Sequence, residues 1–458
     1  MTSSLTRGLT RILNRPVDGK TRHRAALHLI DWIGCAFAGS REGAGRILAE
    51  QAAAALPGGI SLIGARAIND AEEAAFLNGG LGNVFEMDDV HRAAILHPGP
   101  VTIPAALAAA EAGGVTGQEL LDAIVRGYEA VIRLGAAVGP AHYSQWHNTA
   151  TCGPFGSAAA VASLLKLKED AIVWALGNAG TQASGPWRCR HEDVMTKQLH
   201  TARAARAGYS AAWLASLGFT GPEFILEGEQ GFFAAMCPDG RPEDVLLDPD
   251  APWKVWETSF KPWPACRHAH PAIDAALLLR DSEKIPIDSV KAIEIATYGD
   301  AKAFCDRARP VTTIEAKFSL QHGVALVLLD GPPTLSGFAT DNIQREDIAA
   351  LREKSTVTIR DDLDAAYPQH FGSEVRIVLR SGETKSATVL DALGDPENPL
   401  PTERLIAKAE MLMTVAGVKN DGQKKVIDAC LALANSGPLS DLTDTLQSIN
   451  ASITEDPK

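Results

Sequence analysis

The sequence predicts a mainly α fold, with a large all-helical domain and a smaller α+β domain. Three observations lead to this prediction. Apolar residues recur at helical spacing up to about Phe260, strand-like alternation appears only after Pro264, and helical spacing returns from Glu403. The chain of 458 residues is also too long for one ordinary core, which favours two domains.

The N-terminal region is predicted to be helical almost throughout. Its segments are rich in Ala and Gly, which lets helix axes approach closely. Thr116 and Asp170 precede apolar-periodic stretches and are predicted N-caps. The arginines Arg7, Arg11 and Arg15 are assigned to the first helix of the fold. The further predicted helices are Ala25–Ala38, Ala71–Leu81, Val101–Ala112, Gly117–Val138, Ser157–Leu165, Asp170–Ala179 and Thr201–Leu217.

The character of the chain changes after Pro264. Alternating apolar and polar residues predict the strands Lys291–Tyr298, Ser355–Arg360, Glu374–Arg380 and Thr384–Leu390, the last two joined as a hairpin at Ser381-Gly382. Helical spacing predicts His270–Arg280, Phe318–Leu329, Glu403–Ala416 and Lys424–Asn435. The predicted boundaries are 1–265 for the first helical segment, 266–400 for the α+β domain and 401–458 for a helical return.

Composition narrows the class of protein. A hydrophobic content of 46% with 22% charged residues is ordinary for a globular protein, and the net charge of −13 argues against nucleic-acid and anionic-membrane partners. The seven cysteines form no CxxC pair, which is typical of a reduced, cytoplasmic protein. The apolar run Ala25–Gly39 is interrupted by His28 and Asp31 and is therefore predicted to be a core helix and not a membrane span.

A cluster of acids and imidazoles between residues 85 and 99 is the first candidate for chemistry. Glu86, Asp88 and Asp89 lie within eleven residues of His91 and His97. Such a cluster suits proton transfer, because neighbouring charges and burial can tune each group toward a neutral pKa. Carboxylates and imidazoles are also metal ligands, so both interpretations are open at this point.

Two further candidates lie in the helical region. His147 precedes a Gly-rich stretch ending at Gly156, which predicts either an anion site at a helix N-terminus or a tight helix–helix corner. Lys197, His200 and Arg203 follow at a spacing of three, on one helical face. This stripe predicts either an anion-binding surface or a solvated face, and the apolar residues after it favour burial.

The remaining candidates lie at or beyond the predicted domain boundary. Cys266, Arg267 and His268 follow one another at the seam between the two domains, where pockets usually form. His322 stands at a predicted helix start, a position where a single histidine is more often a core residue than a catalytic one.

Known cofactor and nucleophile motifs are absent from the sequence. It has no HExxH or zinc-type Cys/His spacing, no GxSxG, no GxGxxG after a strand and no GxxxxGK[ST]. The sequence therefore predicts acid–base chemistry with no cofactor and no required metal.

Six segments of the chain, in this order, resemble the MmgE/PrpD family over nearly the whole length. They are Asp88-Asp89…His97-Pro-Gly, His147…Cys152-Gly-Pro-Phe-Gly156, Lys197-x-Leu-His200, Gly218-Phe-Thr-Gly-Pro222…Gly231-Phe, Pro264-x-Cys-Arg-His…His270-Pro-Ala-Ile-Asp and Ala316-Lys-Phe-Ser-Leu320. The family includes 2-methylcitrate dehydratase, cis-aconitate decarboxylase and iminodisuccinate epimerase. The resemblance implies a helical domain, a smaller α+β lid, a site in the cleft between them, a homodimer and a small polycarboxylate substrate.

The resemblance also assigns roles to residues. His97 and His147 are the expected acid and base, Lys197 is expected to orient a carboxylate or share the proton transfer, and Asp88 and Glu86 are expected to line the same site. The expected substrate-binding residues are Asp89, His91, Cys266, Arg267, His268 and His322.

The chain departs from the common family pattern at Asn83, Glu86, Val90 and His322. Glu86 replaces Asp and lengthens a side chain by one methylene, Val90 lacks a Thr hydroxyl, and His322 stands where cis-aconitate decarboxylases have Tyr. The leading expectation is a dehydratase that abstracts a proton α to a carboxylate. An epimerase of an amino-dicarboxylate is the first alternative, followed by a decarboxylase and a non-catalytic carboxylate-binding homologue.

Overall fold

The computed structural model describes residues 4–192, 194–283 and 285–454, and their contacts divide the chain into two units. The larger unit runs to Val84, from Asp88 to Thr258 and from Thr402 onward, and the smaller unit comprises Phe85–Met87 and Ser259–Pro401. The first boundary therefore lies before Ser259, earlier than the predicted 265/266. Ser259 Oγ donates to Asp395 Oδ1 at 2.6 Å and Phe260 N donates to Gly394 O at 3.0 Å, which explains the shift.

The N-terminal part of the larger unit is mostly helical, as predicted. Its helices are α1 (Leu5–Leu13), α2 (Gly19–Gly39), α3 (Gly43–Ala54), α4 (Ala71–Gly79), α5 (Gly99–Gly113), α6 (Gly117–Ala137), α7 (Pro140–Gln145), α8 (Asn148–Leu164), α9 (Glu169–Gly180), α10 (Thr196–Ser216) and α11 (Phe232–Met236). The two strands β1 (Pro57–Leu62) and β2 (Ala65–Ile68) pair in antiparallel fashion. The sequence analysis did not predict this hairpin.

Helix α8 packs against α6 on one side and α10 on the other. Small residues make these approaches possible. A Cβ at Gly127 of α6 would lie 2.8 Å from the carbonyl oxygen of Gly156 in α8, and one at Gly153 would lie 2.8 Å from Cβ of Ala204 in α10. Because a real Cβ does not fit at these distances, glycine at both positions is needed for the close packing that the Ala- and Gly-rich sequence predicted.

The two predicted N-caps have different outcomes. Thr116 caps α6 with a complete capping box, in which its side chain accepts from Glu119 N while the Glu119 side chain accepts from Thr116 N. The Asp170 prediction is wrong, because α9 begins one residue earlier with Lys168 at the N-cap. Asp170 instead pairs with Arg7 Nη1 at 2.8 Å.

Helix α2 contains the apolar run that was predicted to be a core helix. His28 and Asp31 interrupt it and are both buried. Within the described residues, no helix combines the length and the apolar character needed to cross a bilayer.

The smaller unit is α+β, as predicted. Its helices are α12 (His270–Ser282), α13 (Gly299–Cys305), α14 (Thr313–Lys317), α15 (Leu320–Asp330), α16 (Thr340–Ile343), α17 (Glu346–Glu353) and α18 (Asp361–Ala366), and its strands are β3 (Val290–Thr297), β4 (Ser355–Ile359), β5 (Ser373–Leu379) and β6 (Thr384–Val389). The strands form one sheet in the order β4-β3-β5-β6, in which β3 and β4 are parallel and the other pairs are antiparallel.

One face of this sheet forms the core of the smaller unit with α12 and α15. Ile293 and Ile295 of β3 and Val375 and Ile377 of β5 are fully buried in it. Their neighbours in each strand point to the opposite face of the sheet. This alternation is the pattern from which the strands were predicted.

The chain then returns to the larger unit with α19 (Thr402–Val415), α20 (Asn420–Leu433) and α21 (Leu439–Thr454). Helix α19 packs against α2, where Lys408 Nζ lies 2.6 Å from Asp31 Oδ1 and both groups are buried. The predicted helical return is therefore present in the described part of the chain, and α21 is an additional helix that the sequence analysis did not identify.

Candidate active site

The segment between α4 and α5 holds Asp88 and His97 together in the larger unit. Asn83 Nδ2 donates to both carboxylate oxygens of Asp88 at 2.8 Å, and Asp88 is 1% exposed. His97 Nδ1 lies 2.9 Å from Asp88 Oδ2 and 2.9 Å from the carbonyl oxygen of Asp89. The Nδ1 side of the His97 ring is therefore fixed by two acceptors, and a positive charge on this ring would be balanced by Asp88.

Asp89 is a buried anchor for the same segment. Its Oδ1 accepts from Gly99 N at 3.0 Å, and its Oδ2 accepts from Tyr128 OH at 2.6 Å and lies 2.7 Å from His28 Nδ1. Burial raises the pKa of Asp89 to about 6, although the Tyr128 hydrogen bond opposes this shift. The side chain thus contacts three protein groups, and its expected contact with substrate stays a prediction.

His28 and Tyr128 are residues that the sequence analysis did not assign to the site. Both are fully buried, and burial, together with the positive charge of Arg24, lowers the pKa of His28 well below its ordinary value. The sequence offered one signal for this contact, namely His28 inside an otherwise apolar stretch. A buried polar side chain needs a hydrogen-bond partner, so a partner for His28 could have been expected.

His147 lies in a different environment of the same unit. It is the N-cap residue of α8, and its ring stacks on Trp187 with centroids 4.3 Å apart. His147 Nδ1 lies 3.3 Å from Nδ1 of His200 on α10. Lys197 is the second residue of α10, about one turn before His200, and is half-buried.

Burial and positive charge both favour the neutral form of these two imidazoles. The pKa of His147 is lowered well below its ordinary value, first by burial and then by the charge of Lys197. Burial, with Arg203 and Lys197, lowers the pKa of His200 to about 4. At neutral pH His147 is therefore an uncharged imidazole that can accept a proton.

The start of α8 connects the segment of His97 with His147. His97 N donates to Thr149 Oγ1 at 3.1 Å, and the next residue toward His147, Asn148, donates from Nδ2 to Ala94 O at 2.9 Å. Asn148 Oδ1 is buried with no hydrogen-bond partner among the described residues. The structure thus brings together Asp88, His97, His147 and Lys197, and it adds Asn148 as an acceptor that the sequence analysis did not single out.

His91 contacts other groups of the larger unit. Its Nε2 lies 3.4 Å from Glu257 Oε2, and its Nδ1 accepts from Ala94 N at 3.1 Å. Burial lowers the pKa of His91. Its expected role in substrate binding stays a prediction.

Glu86 belongs to the smaller unit and faces a lysine there. Glu86 Oε2 lies 3.5 Å from Lys261 Nζ, and the two side chains are 4% and 1% exposed. Glu86 has a φ of 59°, in the left-handed region that costs a non-glycine residue about 1–3 kcal/mol. A buried ion pair and a strained backbone at one residue are typical of a functional position, so Lys261 joins the candidate residues.

Cys266 and Arg267 are held within the smaller unit. Cys266 N donates to Lys317 O at 2.9 Å, and a hydrogen bond with Cys305 lowers the pKa of the Cys266 thiol. Arg267 pairs with the buried carboxylate of Asp395 and donates to the carbonyl oxygen of Ala392. The expected contacts of Cys266 and Arg267 with substrate stay predictions.

His268 and His322 are also engaged inside the smaller unit. The His268 ring stacks between Phe304 and Phe371, and its Nδ1 lies 2.6 Å from Tyr298 OH. His322 Nε2 lies 3.0 Å from Gly337 O, and the ring is fully buried. Burial lowers the pKa of each to about 4. Their expected roles as substrate ligands stay predictions.

Comparison with known proteins identifies the family. The MmgE/PrpD N-terminal domain model matches residues 10–244, and the MmgE/PrpD C-terminal domain model matches residues 263–433. A cis-aconitate decarboxylase of Aspergillus terreus is 26% identical, covering 94% of this chain and 92% of its own. A cis-aconitate decarboxylase-like protein of Aspergillus oryzae is 27% identical, and the match covers 96% of both chains. The human cis-aconitate decarboxylase is 29% identical, and the match covers 73% of this chain and 71% of the human protein. The chain therefore belongs to the MmgE/PrpD family, as the resemblance of its motifs predicted.

Proposed function

We propose that this protein is a lyase that removes a proton α to a carboxylate of a small di- or tricarboxylate, with dehydration of the 2-methylcitrate type as its reaction. The observation that carries the proposal is the pair of imidazoles in opposite surroundings. His147 is buried beside cationic groups, and His97 is bound to the carboxylate of Asp88. Elimination of water needs one group to take a proton and another to give one, and these two environments suit those two roles.

His147 is the proposed base. Its lowered pKa keeps the ring neutral at physiological pH, and Lys197 lies close enough for its charge to contribute to that shift. The ammonium of Lys197 is the proposed partner of the substrate carboxylate next to the reacting carbon. There it would also stabilise the negative charge that develops as the proton leaves.

His97 is the proposed acid. Its Nδ1 is occupied by Asp88 and the carbonyl oxygen of Asp89, which leaves Nε2 as the nitrogen that would protonate the departing hydroxyl. Asp88 would balance the charge of the protonated ring before the transfer. Asn148 Oδ1 is the proposed acceptor for a second polar group of the substrate.

Decarboxylation is the second candidate, because the similar proteins from Aspergillus terreus and human carry the name cis-aconitate decarboxylase. One residue argues against direct transfer of that activity. His322 occupies the position where those enzymes are expected to have Tyr, and its Nε2 and Nδ1 lie near Gly337 O and Arg352 Nη1. Epimerisation would use the same acid and base, so the experiment must separate all three reactions.

The test is incubation of the purified protein with 2-methylcitrate, cis-aconitate and iminodisuccinate, with the products followed by ¹H NMR in D₂O. The proposal expects loss of water from 2-methylcitrate, seen as replacement of its methyl doublet by the singlet of a methyl group on a C=C bond, with turnover by His147→Gln slower on the order of 10²-fold or more. Itaconate from cis-aconitate would assign decarboxylation instead. Solvent deuterium appearing in iminodisuccinate together with inversion would assign epimerisation. No turnover of any of these substrates would contradict the proposal.

We also propose a homodimer, which the family resemblance implies. Large apolar side chains are exposed toward the end of α10 and just after it, where Trp213, Leu217 and Phe219 are 46%, 69% and 55% exposed. An exposed apolar patch of this kind supports a protein–protein contact. Light scattering after size exclusion should give about twice the chain mass of 48.5 kDa, and Leu217→Glu should shift the protein toward the monomer.

A further inference from the structure

Three side chains of the types that bind metal ions meet in the smaller unit, at residues that the proposed reaction does not use. His370, Asp391 and Glu397 each offer one ligand atom, and these atoms all lie within 4.8 Å of one another. His370 Nδ1 lies 2.8 Å from Oδ1 and 3.1 Å from Oδ2 of Asp391. His370 and Asp391 are half-buried, while Glu397 is exposed and therefore accessible to an ion from solvent.

The sheet holds the first two ligands in place. His370 stands just before β5, and its backbone N donates to Ala366 O at 2.9 Å. Asp391 stands just after β6, and β5 and β6 pair so that Ser373 lies opposite Val389. The two ligands therefore leave the same end of one antiparallel ladder, and their separation is set by backbone hydrogen bonds.

A hydrogen-bonded turn holds the third ligand. Asn398 N donates to Asp395 O at 3.0 Å, and Gly394 N donates to Asn398 O at 2.8 Å. Asn398 Nδ2 also donates to the carbonyl oxygen of Asp391 at 3.1 Å. Glu397 lies within this turn, so the turn that carries it is tied directly to the second ligand.

The donor set indicates which ion would bind. One imidazole nitrogen and two carboxylate oxygens suit a borderline cation such as Zn²⁺, whereas Mg²⁺ and Ca²⁺ prefer oxygen ligands alone. Tetrahedral Zn²⁺ with ligand distances of about 2.1 Å places its ligand atoms about 3.4 Å apart. Side-chain movements of about an ångström would bring the more distant ligand atoms to that spacing and separate His370 Nδ1 from Asp391 Oδ1, which are now 2.8 Å apart, and water would complete the coordination.

We propose that His370, Asp391 and Glu397 form a zinc-binding site. Bound Zn²⁺ would connect the turn of Glu397 to the end of the β5–β6 ladder. The same turn begins at Asp395, which pairs with Arg267. The ion would therefore stabilise the turn of Glu397 and its position next to the β5–β6 ladder.

The test is calorimetric titration of the EDTA-treated, dialysed 458-residue protein with ZnCl₂. The proposal expects one saturable site per chain that Mg²⁺ at the same concentration does not occupy. Each of the variants His370→Ala and Glu397→Gln removes one ligand and should weaken zinc binding by about 10-fold or more. Glu397 is exposed, so its substitution should not disturb folding. His191→Ala, which removes an exposed histidine of the larger unit, is the matched control and should bind as the wild type does.

Two results would overturn the proposal. One is zinc binding that is unchanged in both His370→Ala and Glu397→Gln, or absent from the wild type. The other is a site lost in His97→Gln or His147→Gln and retained in His370→Ala, which would assign the ion to the candidate active site. Replacement of zinc by Co²⁺ gives an independent readout, because d–d absorption should appear in the wild type and be lost in Glu397→Gln.

Discussion

His97 and His147 lie in the same unit and face opposite electrostatic surroundings. His97 contacts the Asp88 carboxylate and the Asp89 carbonyl oxygen, so its neighbours are acceptors. His147 contacts His200 and Trp187 and lies near the charge of Lys197, so its neighbours disfavour a second positive charge. The same residue type therefore lies in two different environments, and burial and the charge of Lys197 favour the neutral form of His147.

The difference originates in two local structures. His97 lies in an irregular segment that presents the carboxylate of Asp88 and the carbonyl oxygen of Asp89. His147 is the N-cap of α8 and meets α10 at His200. Thr149 joins the two, because its hydroxyl accepts from His97 N. A substitution next to His97 should therefore affect the proposed acid more than the proposed base, and a substitution at His147 should do the reverse.

The largest effect is expected for His147→Gln, which removes the proposed base. We expect kcat to fall on the order of 10²- to 10⁴-fold on the substrate that the wild type turns over, since that is the usual contribution of a positioned acid or base. Steady-state kinetics measures the loss. His23→Gln at an exposed position of α2 is the control and should keep wild-type kcat. Equal activity of His147→Gln and the wild type would contradict the assignment.

Asp88→Asn should have the next largest effect, because it removes the charge that balances His97 and keeps the side-chain volume. We expect kcat to fall on the order of 10- to 100-fold, with KM changed less, since the proposed acid loses its partner and Lys197, the proposed ligand of the substrate carboxylate, is untouched. Asp122→Asn removes a carboxylate that pairs with Arg22 at 2.7 Å and should leave kcat unchanged. A loss confined to KM would assign Asp88 to substrate binding instead.

Tyr128→Phe tests the anchor behind His97. It removes the 2.6 Å hydrogen bond to Asp89, so we expect the free energy of unfolding to fall by about 1.5–3 kcal/mol. The carbonyl oxygen of Asp89 contacts His97, so kcat should also fall several-fold. Urea unfolding and kinetics measure the two effects. An unchanged kcat in a destabilised variant would show that the anchor has no influence on His97.

The last prediction concerns the pH dependence of stability. The pKa of His200 falls from its ordinary 6.5 to about 4 on folding, so the unfolded chain binds the proton more readily. The stability contributed by neutral His200 is complete above pH 6.5 and is lost as the pH falls toward 4. The free energy of unfolding should therefore fall less steeply with decreasing pH in His200→Gln than in the wild type between pH 6.5 and 4. The difference in slope should correspond to up to about one proton fewer taken up on unfolding. An unchanged slope in urea unfolding across this range would contradict the shift.

Local spacing was enough to predict much of the fold. Helices α5 and α6 and strands β3 to β6 were predicted within two residues, because apolar residues recur in them at a regular period. The predicted starts of α2 and α10 lie six and five residues after the observed ones at Gly19 and Thr196. Helix α21 was missed although Leu442, Leu446 and Ile449 repeat at helical spacing and are buried, because many polar residues separate them. The β1–β2 hairpin was missed because its Gly-rich start resembles a turn.

The candidate site was predictable only in part. The residues His97, His147 and Lys197 were identified from motifs, but their neighbours depend on contacts between distant parts of the chain. Tyr128 meets Asp89 across 39 positions and His28 meets it across 61. No local pattern encodes such pairs. The pairing of Glu86 with Lys261 was missed for the same reason, since it forms only when the smaller unit folds.

The most direct test of the account is exchange of the substrate's α-proton with D₂O in His97→Gln and in His147→Gln. If His147 is the base and His97 the acid, His97→Gln should still exchange the α-proton while eliminating no water, and His147→Gln should do neither. Exchange retained in His147→Gln and lost in His97→Gln would reverse the two roles. Exchange at the wild-type rate in both variants would contradict the central claim that these imidazoles carry the proton transfers.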